Sequence, residues 1–475
     1  MRIPLKKFQN VLLLKDTIKT EKVFIMMRYF LAAMLMVLCA VAGAESKVKY
    51  VFLLIGDGFG PNQRIVAEAA LGGKLVMNTL PTGNLLTGTD TFDGKTTDSA
   101  ASGTAISIGQ KTHTYAIGVD RNDNPVEGLA AELKRVRGMS VGIISSCGVT
   151  DGTAAAQFAH RAKRYDYHQI ADQMVKSDFD LFGGFGIFES PDIDNREKLE
   201  AEYRRKLREN GWIVLEDPAD YPSLQAGKRT FVPCPPYIEW RKDKPGFFGR
   251  MFEEKHLTLA DYLNGAAKAF ESNPNGFYIM LECGRIDHAG HNNDAGMTVR
   301  EVRAFDEAVA AALDFAKKHP EETIVVVTAD HETGGLVIKD MDKLKANAPL
   351  LWKQTESLET AAKRIQPLLD WKDEALIKVR SIVVPRITEV IGIEFTEAEI
   401  KELEQMAAKK TSAFRLLKRA AAMRDARLGI CYTSGGHTNA KVLTGAAGAG
   451  HELFKSRPLE NSSLRGIISQ IMGLR

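Results

Sequence analysis

Short apolar runs recur along the chain, separated by stretches whose apolar residues follow helical spacing. Val51–Ile55, Phe277–Leu281 and Ile324–Val327 are continuous in hydrophobic side chains, Met139–Ser146 is an apolar run interrupted by serine and glycine, and Phe179–Gly186 reads as a further short one with glycine turns. Runs of this length without polar alternation predict strands buried on both faces. Helical spacing predicts helices over residues 126–136, 196–210 (stopped by Gly211), 257–271 and 297–318. The alternation is βα throughout, which predicts an α/β fold: a three-layer αβα sandwich around a mostly parallel central sheet. A loop rich in Pro and aromatic residues is expected over 221–248. Residues 339–428 differ in kind, being rich in Lys, Glu, Ala and Leu. They predict a helical excursion with a capping box at Thr396 and Glu399. No sustained heptad supports a coiled coil there. Lys441–Thr444 alternates like a closing strand, and the glycines after it predict a loop.

The ends of the apolar runs carry the chemistry. Phe277–Leu281 gives way to Glu282, Asp287, His288 and His291; Ile324–Val327 to Asp330 and His331; Val51–Ile55 to Asp57 within GDGFG. Asp287 and His291 stand four apart, so one helical turn puts a carboxylate and an imidazole on one face. One such pair also fits a charged, solvated loop, and Asp57 alone fits a turn. Three strands delivering such residues at their carboxyl ends argue for a shared divalent-metal site, because that edge of an α/β sheet is where ligands bind.

Lys95–Lys111 holds cap-type residues at Thr96–Ser99, then small residues suited to a tightly packed helix, then Gly109. Ser99 therefore falls in a first helical turn, where free N–H groups favour an alkoxide or a phosphate. A serine there is also an ordinary N-cap. It becomes a nucleophile candidate because the metal-type residues elsewhere could activate its hydroxyl.

The motifs GDGFG, TDSAASGTA, GQKTHTYAIGVD, DGTAAAQFAHRAKR, ECGRIDHAGH, TADHETGG and SGGHT resemble those of alkaline phosphatases, metal-dependent phosphomonoesterases, in both order and approximate spacing. The resemblance covers about residues 51–167 and 276–335, and resumes at 435–437. It implies two Zn²⁺ and one Mg²⁺. The first zinc would be held by Asp287, His291 and His437, the second by Asp57, Asp330 and His331. Asp57, Thr153 and Glu282 would hold the magnesium, with Asp151 reaching it through water. Ser99 would be the nucleophile and Arg164 the clamp on the phosphate oxygens. Arg164 has the planar fork that phosphate recognition wants, although in HRAKRYD it also reads as a solvated charge, with Arg161 and Lys163 equally placed. Cys283 departs from the resembled motif, which usually has glycine there.

Met27–Arg28, the apolar run 29–41 and Ala42-Gly43-Ala44 predict a secretory signal, so residues 1–44 are expected to be a leader. That changes the charge argument. The whole chain of 475 residues carries +3, but the leader holds seven of the 63 Lys and Arg and two of the 60 Asp and Glu. The remainder is near neutral, so its charge predicts no nucleic-acid or membrane-surface binding. The expected protein is exported, periplasmic or extracellular, with no transmembrane anchor after cleavage. Its expected organisation is an α/β core over 45–338 decorated at 190–259, the helical insertion at 339–428, and a return at 429–475 carrying His437. The resemblance implies that the insertion covers the active-site mouth and contributes to a homodimer contact. Cys147, Cys234, Cys283 and Cys431 match neither a zinc knuckle nor a small disulfide framework.

The implied reaction is in-line transfer of a phosphoryl group from a small phosphate monoester to Ser99, then hydrolysis of the phosphoserine. A phosphodiesterase or a sulfatase of the same superfamily, or a non-catalytic protein binding metal or phosphate, are the rival readings. Ser99 lacks the Cys/Ser-x-Pro-x-Arg setting a sulfatase requires.

Overall fold

The apolar runs are strands because helices cover both their faces. In β1 (Tyr50–Gly56) the side chains of Tyr50, Phe52 and Leu54 enter one apolar core, together with Val302, Phe305 and Ala308 of the 295–318 helix. Val51, Leu53 and Ile55 enter the opposite core, with Leu129 and Leu133 of the 129–137 helix and Ile467 and Ile468 near the C-terminus. A strand sandwiched in this way needs hydrophobic side chains at every position, hence the missing polar alternation.

The computed structural model describes residues 47–188, 195–215, 220–221, 224–233, 257–369, 378–456 and 458–474. The expected leader, Cys234 and the 221–248 loop beyond Pro233 lie outside these. The remaining strands are β2 (Leu85–Gly88), β3 (Ser140–Gly148), β4 (Leu181–Gly186), β5 (Ile213–Val214), β6 (Thr230–Pro233), β7 (Phe277–Cys283), β8 (Thr323–Ala329), β9 (Glu332–Thr333), β10 (Leu336–Ile338), β11 (Ile430–Tyr432), β12 (His437–Thr438), β13 (Val442–Gly448) and β14 (Leu459–Glu460). Among the described residues, ten strands form one mixed sheet in the order β14-β2-β13-β8-β1-β7-β3-β4-β6-β5. Its pairings are parallel except those of β13, which runs antiparallel to both β2 and β8. Helices lie on both sides, as the three-layer expectation requires.

Register is what builds the site. Gly56 of β1 pairs with Cys283 of β7 and Ala329 of β8, while Ser145 of β3 and Ile55 of β1 both pair with Glu282. The residues after these positions, Asp57 and Asp330, therefore leave the sheet side by side.

Two expectations are corrected. The predicted 221–248 loop contains β6, whose four residues are all buried between β4 and β5 in the sheet order. Pro233 at its end and the polar residues before it hid the strand signal. The glycines after Thr444 do not form a loop but continue β13 to Gly448. They are small because the space is taken: a Cβ at Gly445 would lie 2.7 Å from Leu80 Cδ1.

Beyond β10 the chain forms helices at 341–347, 358–365, 384–391, 397–408 and 413–427. The last four surround an apolar cluster of their own, including Leu358, Ile387, Leu403 and Leu417. Thr396 and Glu399 make the expected capping box. The antiparallel pair β10–β11 closes this excursion, and the pair β9–β12 sets His437 opposite Thr333. Cys147, Cys283 and Cys431 are thiols. Among the described residues, no helix is long and apolar enough to cross a membrane.

Candidate active site

Ser99 is the first residue of a helix running to Ile108, and Asp98 caps it by accepting a hydrogen bond from Ala101 N at 3.2 Å. Close approach fixes this turn. A Cβ at Gly152 would lie 2.9 Å from Ser99 Cβ, and one at Gly103 would lie 2.8 Å from Thr153 Cα, so the helix and the 151–155 turn meet only through glycines. Ser99 Oγ lies 3.2 Å from His331 Nε2.

Two histidines and an aspartate converge beside it. Asp287 and His291 share the helix Arg285–Asn292, as their spacing predicts, with Nε2 of His291 3.2 Å from Asp287 Oδ2. His437 Nε2 is 3.2 Å from His291 Nε2 and 3.6 Å from Asp287 Oδ1. Each imidazole has its other nitrogen against a carbonyl: His291 Nδ1 at 2.8 Å from Gly435 O, and His437 Nδ1 at 2.9 Å from Thr97 O. Those contacts assign the proton to Nδ1 in the neutral rings, so two Nε2 lone pairs face one another across 3.2 Å. Only a shared cation or an added proton makes that arrangement stable. Without a metal, the Asp287 carboxylate supplies the incentive for a proton: burial opposes charge on His291, yet Asp287 raises it to about 9.

The second cluster is carboxylate-rich. Asp57 and Asp330 approach His331 Nε2 at 3.5 and 3.3 Å. Asp330 Oδ1 accepts from Gly58 N at 3.0 Å and from His331 N at 2.8 Å, and its Oδ2 accepts from Thr153 Oγ1 at 3.2 Å. Glu282 Oε2 accepts from Ser145 Oγ at 2.7 Å. Asp57, Glu282 and Asp330 are all buried, and Asp57 Oδ1 lacks a hydrogen-bond partner. Burial, reinforced by the neighbouring acids, raises the pKa of Asp57 well above the usual range. Burial is also the main cause that takes Glu282 to about 8 and Asp330 to about 6. Acids crowded out of water in this way need positive charge, and an orphaned buried oxygen among them fits a divalent ion. Ligand atoms of Asp57, Asp330 and His331 lie within 4.8 Å of one another, and so do those of Asp287, His331 and His437. His331 thus faces both clusters.

Arg164 faces the same cavity, of about 510 Å³, as Ser99, Asp57, Asp151, Asp287 and His437. It donates through Nη1 to Asp98 Oδ2 at 3.0 Å and through Nη2 to Asp151 Oδ1. Burial opposes its charge, but these two carboxylates outweigh burial and hold the guanidinium protonated. Arg161, its equal in the sequence, is instead paired with Asp166.

The sequence profile of the alkaline phosphatase family matches residues 48–182 and 250–473. The chain belongs to this family. It is a phosphoric monoester hydrolase with candidate metal-ligand groups. It is 29% identical to alkaline phosphatase 4 of Bacillus subtilis, over 90% of this chain and 89% of that protein. Its fold is similar to that of the cold-active alkaline phosphatase of a psychrophilic Shewanella, with a TM-score of 0.72 and 24% identity over 89% of this chain and 99% of the other. It also resembles a TAB5 alkaline phosphatase mutant that has Mg bound in its M3 site, with a TM-score of 0.61 and 21% identity over 91% of this chain and 99% of that one.

Several residues that hold this candidate site together were not singled out for a role by the sequence. Asp98 was one of several cap-type residues before the helix, and Ser145 showed only its polarity within an apolar run. Thr333, inside TADHETGG, donates to Asp287 Oδ1 and lies 3.2 Å from His331 Nδ1, so it touches both clusters.

Proposed function

We propose that the protein hydrolyses phosphate monoesters through a phosphoserine at Ser99, in a site holding two zinc ions and one magnesium ion. The observation that carries this reading is the place of Ser99 Oγ: at a helix N-terminus, 3.2 Å from His331 Nε2, in one cavity with Arg164, Asp57, Asp287, His291 and His437. Asp287, His291 and His437 would hold one zinc, and Asp57, Asp330 and His331 the other. Asp57, Thr153 and Glu282 would hold the magnesium, with Asp151 reaching it through water. The facing Nε2 lone pairs and the orphaned Asp57 oxygen support this assignment, and the Mg bound in the M3 site of the TAB5 mutant agrees with a third ion. Bound there, the ions supply Lewis acidity that lowers the pKa of a serine hydroxyl or a water and offsets charge on the transferring oxygens.

The chain itself performs the rest. Arg164 is oriented by Asp98 and Asp151 through one N–H on each Nη, which leaves a second N–H on each for two non-bridging phosphate oxygens. The N-terminus of the Ser99 helix adds the positive end of its dipole to the charge that Arg164 presents. In-line attack forms the Oγ–P bond while the ester P–O bond breaks and the alcohol departs. Water then cleaves the phosphoserine, releasing phosphate and restoring the hydroxyl. The pattern at residues 27–44 adds the proposal that the enzyme works after export, in a periplasmic or extracellular space.

Purified protein supplied with zinc and magnesium, assayed on a phosphate monoester, a phosphodiester and an aryl sulfate, tests the reading. The monoester is expected to be turned over far faster than the other two. Preference for the diester or the sulfate, or no turnover at all, would overturn it.

A further inference from the structure

Two tyrosines stand at the rim of the phosphate cavity. Tyr115 and Tyr165 line the same cavity as Ser99 and Arg164, yet they are 45% and 56% exposed. Their ring centroids are 5.4 Å apart at an interplanar angle of 43°. Scattered exposed aromatics are common on protein surfaces, but adjoining ones beside a polar site call for a use.

The backbone makes the case stronger. Tyr115 has φ of 72°, a left-handed conformation that a bulky L-residue avoids and that glycine adopts freely. Strain of this kind persists where surrounding contacts impose it, and it gathers at ligand sites. Here the contacts are plain: Tyr115 N donates to Asp98 Oδ1 at 3.0 Å, and Tyr115 O accepts from Arg164 N at 2.8 Å. Next to it, Ile117 and Arg161 exchange two backbone hydrogen bonds of 2.8 Å each, which lock the 115 and 165 loops together. The residue that fixes the backbone between the arginine and the nucleophile's cap therefore carries an exposed ring where a glycine would be easier to fit.

We propose that Tyr115 and Tyr165 form a stacking platform that favours phosphate monoesters whose alcohol portion bears a planar aromatic ring. The proposal rests on the phosphomonoesterase reading above. With its phosphate on Arg164 and Ser99, an ester would have its organic part at the open rim that both rings line. Offset stacking on such faces tolerates many ring types, so the ring can come from an aryl alcohol or from a nucleoside base.

The test compares kcat/KM for phenyl phosphate, adenosine 5′-monophosphate and glycerol 2-phosphate in wild type, Tyr165→Ala, Tyr165→Phe and Tyr115→Gly, with zinc and magnesium present. Tyr165→Ala and Tyr115→Gly are expected to lower the aromatic-to-glycerol ratio roughly three- to tenfold, and Tyr165→Phe to keep it. A ratio that falls only with the nucleotide identifies a base as the stacked group; one that falls only with phenyl phosphate identifies an aryl alcohol. An unchanged ratio, or equal loss in Tyr165→Phe and Tyr165→Ala, overturns the platform while leaving the phosphatase reading intact. Failure of the wild type on all three esters overturns that reading and the platform with it.

Discussion

Asp98 and Arg164 are joined by a hydrogen bond of 3.0 Å from Nη1 to Oδ2, and the other oxygen of the same carboxylate caps the Ser99 helix through Ala101 N. One side chain therefore ties the arginine of the cavity to the turn that carries the serine. A guanidinium held in place loses less freedom when it grips phosphate.

Replacing Asp98 with alanine separates these duties. Loss of the cap is expected to lower stability by about 0.5–2 kcal/mol. The loosened Arg164 is expected to weaken inorganic phosphate as an inhibitor and to raise KM, each roughly three- to tenfold. Turnover should fall less than affinity, and it should rise if phosphate release limits the wild type. Chemical denaturation and phosphate inhibition constants check this; unchanged phosphate affinity in Asp98→Ala would contradict the orienting role.

Chelation probes the buried acids. Asp57, Glu282 and Asp330 repel one another out of water, so removing divalent ions is expected to lower the melting temperature markedly. Ions at about a thousand times their dissociation constant restore about 4 kcal/mol. Asp57→Asn removes one buried charge and should narrow the gap between chelated and ion-loaded protein. Calorimetry with and without chelator decides; coincident melting curves would mean that no ion is held there.

Much of this arrangement was legible in the sequence. Buried strands announce themselves by unbroken hydrophobicity, and Asp57, Glu282 and Asp330 follow directly from where β1, β7 and β8 end. Asp287 and His291 were readable from their spacing of four. His437 was different, because its place depends on the β9–β12 pairing across a long helical excursion, and only the family resemblance brought it in. Asp98 and Thr333 stand inside recognisable motifs, yet their contacts with Arg164 and Asp287, like that of Ser145 with Glu282, join residues distant in sequence, so no local pattern shows what they hold. Tyr115 is invisible for another reason: a positive φ at a tyrosine is set by hydrogen bonds to Asp98 and Arg164, not by its own preference.

Glu301 offers a pH test away from the proposed ligands. It is buried in the 295–318 helix beside Cys283, whose Sγ is 3.6 Å from Glu301 O. Burial is the main cause that lifts its carboxyl to about 7, against the opposing pull of Arg285. The folded state thus holds this proton more tightly than the unfolded one. Its stabilising contribution is full below the unfolded pKa of about 4.5 and is lost as pH rises through about 7, on the order of 1–3 kcal/mol. Glu301→Gln cannot ionise, so its stability relative to wild type should increase between pH 5 and 8. Urea unfolding of both proteins across that range checks the sign; a constant difference would show that Glu301 does not titrate there.

The covalent route through Ser99 is tested most directly by the mass of the peptide containing that serine. Metal-loaded enzyme is mixed with a phosphate monoester, quenched in acid during turnover, digested and analysed. One added phosphoryl group is expected on Ser99 in the wild type. Ser99→Ala should show none, and its turnover should fall by orders of magnitude while bound metal stays nearly unchanged. A wild-type Ser99 that stays unmodified, together with near-normal turnover in Ser99→Ala, would contradict the mechanism.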